Sequence, residues 1–188
     1  MEIYQTNNEV NKLKELVKKS NLVDGDLIEI GIFQGGTSNI IENNKLTEKK
    51  LYLVDTFEGL MDVDQTNDNA SESNLKNTDF KYVDINYLVN YFNGKNVEVI
   101  KSYFPKGLPD GFQNLKFSFI HLDVDTYLST LNSLNFLYEM INPGGIIVIH
   151  DYINNSAPGV KIAVDEFLTG KKEKINEIND SQCVIIKL

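Results

Sequence analysis

The chain has 188 residues, of which 41% are hydrophobic, so it can form one domain with a substantial core. Its formal net charge of −9 would repel a phosphate backbone or an anionic membrane surface, and we therefore expect neither nucleic acid nor membrane as a partner. The single cysteine, Cys183, excludes an internal disulfide framework and is typical of a small core residue on a strand.

The N-terminal segment, residues 1–25, predicts an amphipathic helix. Apolar residues recur at helical spacing between Val10 and Leu16. Such a helix can cover a sheet or meet a second subunit, so a homo-oligomer stays open. The segment lacks the apolar stretch of a signal peptide, and no apolar run in the chain approaches about 18 residues. We therefore expect a soluble, cytoplasmic protein.

Short apolar runs then alternate with segments of helical period, which is typical of βα units. The runs that predict strands are Leu27–Ile30, Lys50–Val54, Val97–Lys101, Phe117–Leu122 and Ile146–Ile149. The segments that predict helices between them are Thr37–Asn43, Val83–Phe92, Leu128–Ile141 and Val160–Leu168. These strands are apolar on both faces, as in a parallel sheet that helices cover. Two last runs, Ile175–Ile178 and Cys183–Leu188, predict an antiparallel hairpin that turns at Asn179, Asp180 and Ser181. The fold class is thus α/β, with a mostly parallel seven-stranded sheet in a single domain, residues 1–188.

The first predicted strand runs into a turn of glycines, LIEIGIFQGG, and carries one carboxylate, Glu29. Glycine adopts positive φ at little cost and lets a ligand approach the backbone; the glycines concerned are Gly31, Gly35 and Gly36. Their spacing is not the G-x-G-x-x-G of dinucleotide sites, and Glu29 would repel a pyrophosphate. A carboxylate here suits a cationic or ammonium ligand such as S-adenosylmethionine. Thr37 and Ser38 follow, and either can cap the next helix.

Polar residues follow each of the five predicted parallel strands. In strand order they are Glu29, then Asp55, then Ser102 and Tyr103, then Asp123 and Asp125, then His150 and Asp151. Ligands of open parallel sheets bind outside the carboxyl ends of the strands, so these residues predict a lined pocket. Asp55 lies roughly 20 positions beyond the glycine turn, where an acidic residue accepts hydrogen bonds from ribose hydroxyls.

The acidic residues after the fourth and fifth strands predict a divalent cation site. Asp123 and Asp125 alternate, so one is expected to face the site while the other supports it. With Asp151 they supply the oxygen ligands that Mg²⁺ prefers, and Mg²⁺ would lower the pKa of a substrate hydroxyl. The alternative is that they only cap helices. His150 is a third candidate ligand, although imidazole suits softer metals. We interpret His121 as a core residue.

The segment from Met61 to Asp79 is almost free of apolar residues and rich in Asp, Asn and Ser. It predicts a mobile loop. Because it follows a strand end, the loop is either a lid over the pocket or a solvated excursion without a role.

The motifs together resemble the macrocin O-methyltransferase family. They are IEIGIFQGGTS, LVDTFEGL, VIKSYFPKGLP, HLDVDTYLSTLNSLNFLYEMINPGGIIVIHDY and PGVKIAVDEFL, and they extend from about Leu27 to Leu168. The resemblance implies a Rossmann-like class I methyltransferase that uses S-adenosylmethionine and Mg²⁺ to methylate sugar hydroxyls of natural products. It further implies that the cofactor motifs include Glu29, Gly31, Gly35 and Asp55, and that Asp123 and Asp151 are metal ligands. We add Gly36, Thr37, Ser102 and Asp123 to the expected cofactor site.

The chain departs from the family pattern at the metal motif. Members often carry two adjacent aspartates before the tyrosine, whereas this chain has His150 as the first of the pair. Catechol-type O-methyltransferases have a lysine base three positions after the first metal aspartate, and here that residue is Thr126. Deprotonation would then fall to Asp123 or to His150, whose ordinary pKa near 6.5 suits a base.

Two other functions stay open at this point: a nucleotide-binding oxidoreductase, and a non-catalytic S-adenosylmethionine-binding protein. For the enzyme, the expected acceptor is a small molecule with a hydroxyl, such as a sugar. Three tyrosines either line the acceptor site or pack against helices: Tyr103, Tyr127 and Tyr152.

Overall fold

The computed structural model describes residues 1, 3–69, 75–76, 79–80 and 84–188. Its centre is a seven-stranded sheet with the order β3-β2-β1-β4-β5-β7-β6. The strands are β1 (Asp26–Ile30), β2 (Leu51–Asp55), β3 (Val97–Lys101), β4 (Phe117–Leu122), β5 (Ile141–Ile149), β6 (Ile175–Asn179) and β7 (Gln182–Ile186). Strands β1 to β5 are parallel, while β7 is antiparallel to both of its neighbours. The predicted fold class and the closing hairpin are confirmed.

Five α-helices lie in the described part of the chain. They are α1 (Asn7–Ser20), α2 (Gly36–Glu42), α3 (Ile85–Tyr91), α4 (Tyr127–Leu137) and α5 (Pro158–Leu168), with a short 3₁₀ helix at Phe112–Asn114. α1 begins with a capping box, in which Thr6 and Glu9 each accept a hydrogen bond from the other's backbone N–H. None of the helices in these described ranges is long and apolar enough to cross a membrane.

Two hydrophobic layers hold the sheet between the helices. Side chains alternate along each strand, so Ile28 and Ile30 face the layer that contains α4 and α5, while Leu27 faces the layer that contains α1 and α2. Glu29 shares its face with Leu27. Cys183 is fully buried on β7, as predicted.

One predicted boundary is wrong. The helix expected over Leu128–Ile141 ends at Leu137, and Ile141 begins β5 instead. Ile141 pairs with Phe117 of β4, and this sheet pairing takes precedence over the helical spacing of the apolar residues. Val83, the predicted start of the third helix, lies outside the described residues.

The predicted lid is described only in part, because residues 70–74 and 77–78 lie outside the described residues. In the described part, Asp68 is fully buried. Its carboxylate accepts hydrogen bonds from the backbone N–H groups of Tyr127 and Asp64, both at 2.7 Å. Residues 61–69 are therefore attached to the N-terminus of α4 and are not a purely solvated excursion. Whether the segment acts as a lid stays a prediction.

Candidate active site

A cavity of about 340 Å³ opens at the carboxyl edge of the parallel strands. The strand order reverses between β1 and β4, which is where ligands of open α/β sheets bind. Residues from five strand ends line it, among them Gly31, Gly36, Thr37, Asp55, Ser102, Tyr103, Asp123, Asp125, His150 and Asp151. The structure thus brings together most of the predicted site residues, with Glu29 and Gly35 outside the lining.

The glycine turn has the backbone conformation that its composition predicts. Gly31 and Gly35 have φ of +80° and +79°, which favours glycine. A Cβ at Gly31 would also overlap the backbone carbonyl oxygen of Asp123. The exits of β1 and β4 therefore pack backbone against backbone, and the lack of a side chain at Gly31 permits this contact.

The predicted side-chain cap of the following helix is wrong. The N-cap of α2 is Gly35, without a side-chain hydrogen bond, and Thr37 and Ser38 lie inside the helix. The Ser38 hydroxyl donates instead to the Glu29 carboxylate. Thr37 lines the cavity, as expected for a cofactor-binding residue.

Glu29 lies beneath the turn rather than facing a ligand. It is 0% exposed, and its second oxygen is 2.8 Å from Nδ1 of His121, which is also 0% exposed. Glu29 and His121 are directly opposite one another in the β1 and β4 register, so their side chains share one face. The expectation that Glu29 faces the bound ligand is corrected: the carboxylate is enclosed between Ser38 and His121. His121 is a core residue, as predicted.

Asp55 lines the cavity and also supports the turn. One carboxylate oxygen accepts hydrogen bonds from the backbone N–H groups of Ile32 at 2.8 Å and Phe33 at 3.2 Å. The other oxygen accepts from Phe57 at 2.8 Å. Each oxygen can still accept a further hydrogen bond, so ribose binding by Asp55 stays a prediction.

Two of the three tyrosines are bonded away from the cavity. The Tyr127 hydroxyl donates to Glu166 at 2.6 Å, and the Tyr152 hydroxyl donates to Asp165 at 2.8 Å. Tyr103 does line the cavity, next to Ser102, whose hydroxyl donates to the Lys106 carbonyl at 2.5 Å. Of the three, Tyr103 is placed to wall an acceptor site.

His150 lies among carboxylates at the end of β5. Its Nδ1 is 3.0 Å from Oδ1 of Asp123 and 3.0 Å from Oδ2 of Asp151. Ligand atoms of these three residues lie within 4.8 Å of one another. On the other side of the ring, Nε2 is 3.2 Å from the Ser181 hydroxyl and 3.7 Å from a Glu9 oxygen. The cluster therefore offers one nitrogen and two carboxylates to a cation.

The carboxylates change the acid–base properties of the cluster. Burial opposes the charged imidazole, but the charge of Asp123 and hydrogen bonds to Asp151 and Glu9 raise the pKa of His150 far above its ordinary 6.5. Burial likewise opposes the Asp123 carboxylate, yet the His150 charge lowers the pKa of Asp123. A ring that holds its proton this firmly is a poor proton acceptor at neutral pH, which argues against His150 as the general base.

Asp125 and Asp151 mark the site in a second way. Both have positive φ, at +60° and +62°, a conformation that is strained for residues other than glycine and recurs at functional sites. Burial, together with the charges of Asp123 and Asp151, raises the pKa of Asp125 well above its ordinary value.

Sequence reasoning missed the contribution of the N-terminal segment. Ile3, Tyr4 and Gln5 line the cavity. Glu9 is 2% exposed and reaches the His150 cluster through Ser181. The T-x-x-E pattern at Thr6 indicates a helix start, but nothing in it indicates a contact with residues about 140 to 170 positions away.

A family model described as Macrocin-O-methyltransferase (TylF) matches residues 6–187. Demethyldecarbamoylnovobiocin O-methyltransferase of Streptomyces niveus is 26% identical over 158 residues, which cover 78% of this chain and 59% of that protein. The 8-demethyl-8-(2,3-dimethoxy-alpha-L-rhamnosyl)-tetracenomycin-C 4'-O-methyltransferase of Streptomyces olivaceus is 27% identical over 141 residues, which cover 69% of this chain and 54% of that protein. The chain thus spans less than two thirds of the length of these two relatives.

Solved structures share the fold. The O-methyltransferase NovP superposes with a TM-score of 0.81 at 21% identity, covering 96% of this chain and 79% of NovP. An O-methyltransferase from Bacillus cereus, whose structure is a complex with SAH, superposes with a TM-score of 0.59 at 12% identity, covering 97% of this chain and 82% of that chain. The chain therefore has the Rossmann-like fold of these methyltransferases.

Proposed function

Since this chain belongs to the macrocin O-methyltransferase family, we propose that it transfers a methyl group from S-adenosylmethionine to a hydroxyl of a sugar or a glycosylated natural product. The observation that carries the proposal is one cavity that combines the glycine turn with the His150 cluster at the reversal of strand order. The glycosylated compound in one relative's name is consistent with such an acceptor.

The glycine turn and its surroundings form the cofactor half of the proposed site. The residues assigned to it are Gly31, Gly35, Gly36, Thr37, Asp55, Ser102 and Asp123. Gly31 would let the cofactor approach the backbone, and Asp55 would accept hydrogen bonds from the ribose while it fixes the turn. Glu29 acts indirectly, by holding Ser38 of α2 and His121 of β4 in place. A volume of about 340 Å³ is within the range of small-ligand pockets.

The His150 cluster forms the acceptor half. Asp123, Asp151 and His150 would hold a divalent cation, and the family resemblance implies Mg²⁺. The buried Nδ1 of His150 makes no hydrogen bond although two carboxylate oxygens lie beside it, which fits a cation between these atoms. When bound, the cation would lower the pKa of the acceptor hydroxyl and orient it. Asp123 would take the proton, and the cavity walls would hold the two reactants in attack geometry.

Among the alternatives, a nucleotide-binding oxidoreductase has no support from the family, which is one of O-methyltransferases. A non-catalytic cofactor-binding protein is separated from the enzyme by experiment. Calorimetry with S-adenosylhomocysteine tests the cofactor site. Mass spectrometry after incubation with S-adenosylmethionine and demethyldecarbamoylnovobiocin or a rhamnosylated tetracenomycin tests transfer. We expect cofactor binding and the gain of one methyl group. Cofactor binding without transfer to any hydroxyl glycoside would favour the non-catalytic protein, and absence of both would contradict the proposal.

A further inference from the structure

We propose that His150 is a nitrogen ligand of the cation, held in that role by Ser181 and Glu9, and that the centre therefore prefers a first-row transition ion to Mg²⁺. The inference rests on the proposed function only in placing a cation at the cluster. It concerns which ion binds there and which residues decide it.

The ring of His150 presents Nδ1 to the cluster. This atom is buried and makes no hydrogen bond, and the nearest oxygens of Asp123 and Asp151 are both 3.0 Å away. The donors that converge are thus one imidazole nitrogen and two carboxylates. At the same position in the family motif, a second aspartate would complete a set of oxygen donors.

Contacts on the far side of the ring orient it. The Ser181 hydroxyl donates its proton to Oε1 of Glu9 at 2.6 Å, so its oxygen is left to accept a hydrogen bond from Nε2 of His150 at 3.2 Å. The Ser181 backbone N–H also donates to Glu9, at 2.9 Å. With the proton on Nε2, the lone pair of Nδ1 points toward the two aspartates. A carboxylate or hydroxyl behind a histidine commonly fixes the tautomer of a metal ligand in this way.

The donor set determines which ion is preferred. Mg²⁺ favours oxygen ligands and keeps several waters, whereas imidazole suits zinc, nickel, iron and copper, and Mn²⁺ accepts both donor types. A site with one nitrogen and two carboxylates gains affinity for transition ions that an all-oxygen site lacks. Mg²⁺ would bind here mainly through Asp123 and Asp151.

The test compares wild-type protein with His150→Asp, which restores two adjacent acidic residues. Mn²⁺, Ni²⁺ and Mg²⁺ are titrated separately by calorimetry, and the Mn²⁺ complex is examined by electron spin echo spectroscopy for coupling to nitrogen. We expect nitrogen coupling in the wild type and none in His150→Asp. We also expect the ratio of Ni²⁺ to Mg²⁺ affinity to fall at least about tenfold in the variant.

The outcomes separate this inference from the proposed function. Cation binding without nitrogen coupling, or an unchanged affinity ratio in His150→Asp, overturns the nitrogen ligand and leaves the methyltransferase proposal intact. S-adenosylhomocysteine binding is measured in the same samples. If the wild type binds the cofactor but none of the three ions, both this inference and the cation in the proposed function are wrong.

A second pair of variants tests the support from Glu9. Glu9→Gln keeps a residue that can complete the capping box of α1 but weakens the acceptor behind Ser181. Thr6→Ala removes the capping box and leaves Glu9 in place. We expect Glu9→Gln to lower Mn²⁺ affinity about tenfold, the lower end for partners behind a metal ligand, and Thr6→Ala to leave it unchanged. Equal losses in the two variants would show that Glu9 acts only through the helix start and would overturn its positioning role.

Discussion

The two histidines of the chain lie on neighbouring strand ends, yet their surroundings differ. His121 on β4 has one carboxylate partner, Glu29, and both side chains are 0% exposed. His150, just after β5, has carboxylate oxygens of Asp123, Asp151 and Glu9 within 3.7 Å and lines the cavity. A single enclosed partner indicates a structural pair, whereas several carboxylates around one accessible ring indicate a site for a cation.

Register explains the structural pair. Glu29 and His121 are opposite one another on parallel strands, and Ser38 of α2 supplies the second hydrogen bond to the carboxylate. The pair thus connects β1, β4 and α2 below the glycine turn. We refer to Glu29 and His121 as the buried pair, and to Asp123, His150 and Asp151 as the cavity cluster. The following predictions are arranged to separate them.

The largest expected effect is on catalysis, from the cavity cluster. Asp123→Ala removes a proposed cation ligand and proton acceptor, so we expect methyl transfer to fall by about 10³-fold. Product formation is measured by mass spectrometry, and the free energy of unfolding by urea denaturation. A variant that keeps near-normal transfer would remove Asp123 from the mechanism. A loss of transfer that follows only from unfolding would make the cavity cluster structural, like the buried pair.

The next effect is on stability, from the buried pair. Glu29→Ala leaves His121 and Ser38 without their buried partner, and we expect the free energy of unfolding to fall by about 3 kcal/mol. The matched control is Glu98→Ala, which breaks a half-exposed ion pair with Lys50 and should cost at most about 1 kcal/mol. Equal urea midpoints for the two variants would contradict the structural role of Glu29.

A smaller effect tests the link between the two regions. Gly31 follows Glu29 by two residues and its Cα packs against the backbone of Asp123. Gly31→Ala would strain a positive φ and displace that backbone, and we expect affinity for S-adenosylhomocysteine to fall at least about tenfold.

Gly94→Ala is the control for this substitution. Gly94 has a similar φ of +78°, but a Cβ there would meet nothing within 4 Å. It should lose some stability and keep its cofactor affinity. Calorimetry that finds the same affinity in both variants would argue that the glycine turn does not contact the cofactor.

The smallest effect lies outside both regions and provides a baseline for acid stability. Burial opposes the Glu173 carboxylate, but hydrogen bonds from Tyr138 and Leu188 and the charge of Lys187 lower its pKa from 4.5 to about 2. A lowered pKa in the folded state stabilises the fold above pH 4.5, and this stabilisation is lost as the pH falls from 4.5 toward 2. Glu173→Gln should therefore show a shallower loss of stability over that interval in urea unfolding. Parallel curves for wild type and variant would place the acid-sensitive groups elsewhere.

Much of this arrangement could be predicted from the sequence, because the apolar runs and the polar residues after them follow the period of βα units. The seven strands, the hairpin and the convergence of Asp55, Asp123 and His150 at one edge all depend on that local pattern. The orientation of Glu29 could not be predicted, since it depends on which strand lies beside β1 and in which register. The contact of Glu9 with Ser181 joins residues 172 positions apart, and only the folded chain brings them together.

A crystal structure of the protein with S-adenosylhomocysteine and Mn²⁺ tests the central claim most directly, because anomalous scattering locates the ion without reference to activity. We predict one Mn²⁺ peak between Asp123, Asp151 and Nδ1 of His150, with the cofactor in the same cavity beside Gly31. A peak at another location, or a cofactor bound outside this cavity, would contradict the assignment of His150 to the cation and of His121 to the core.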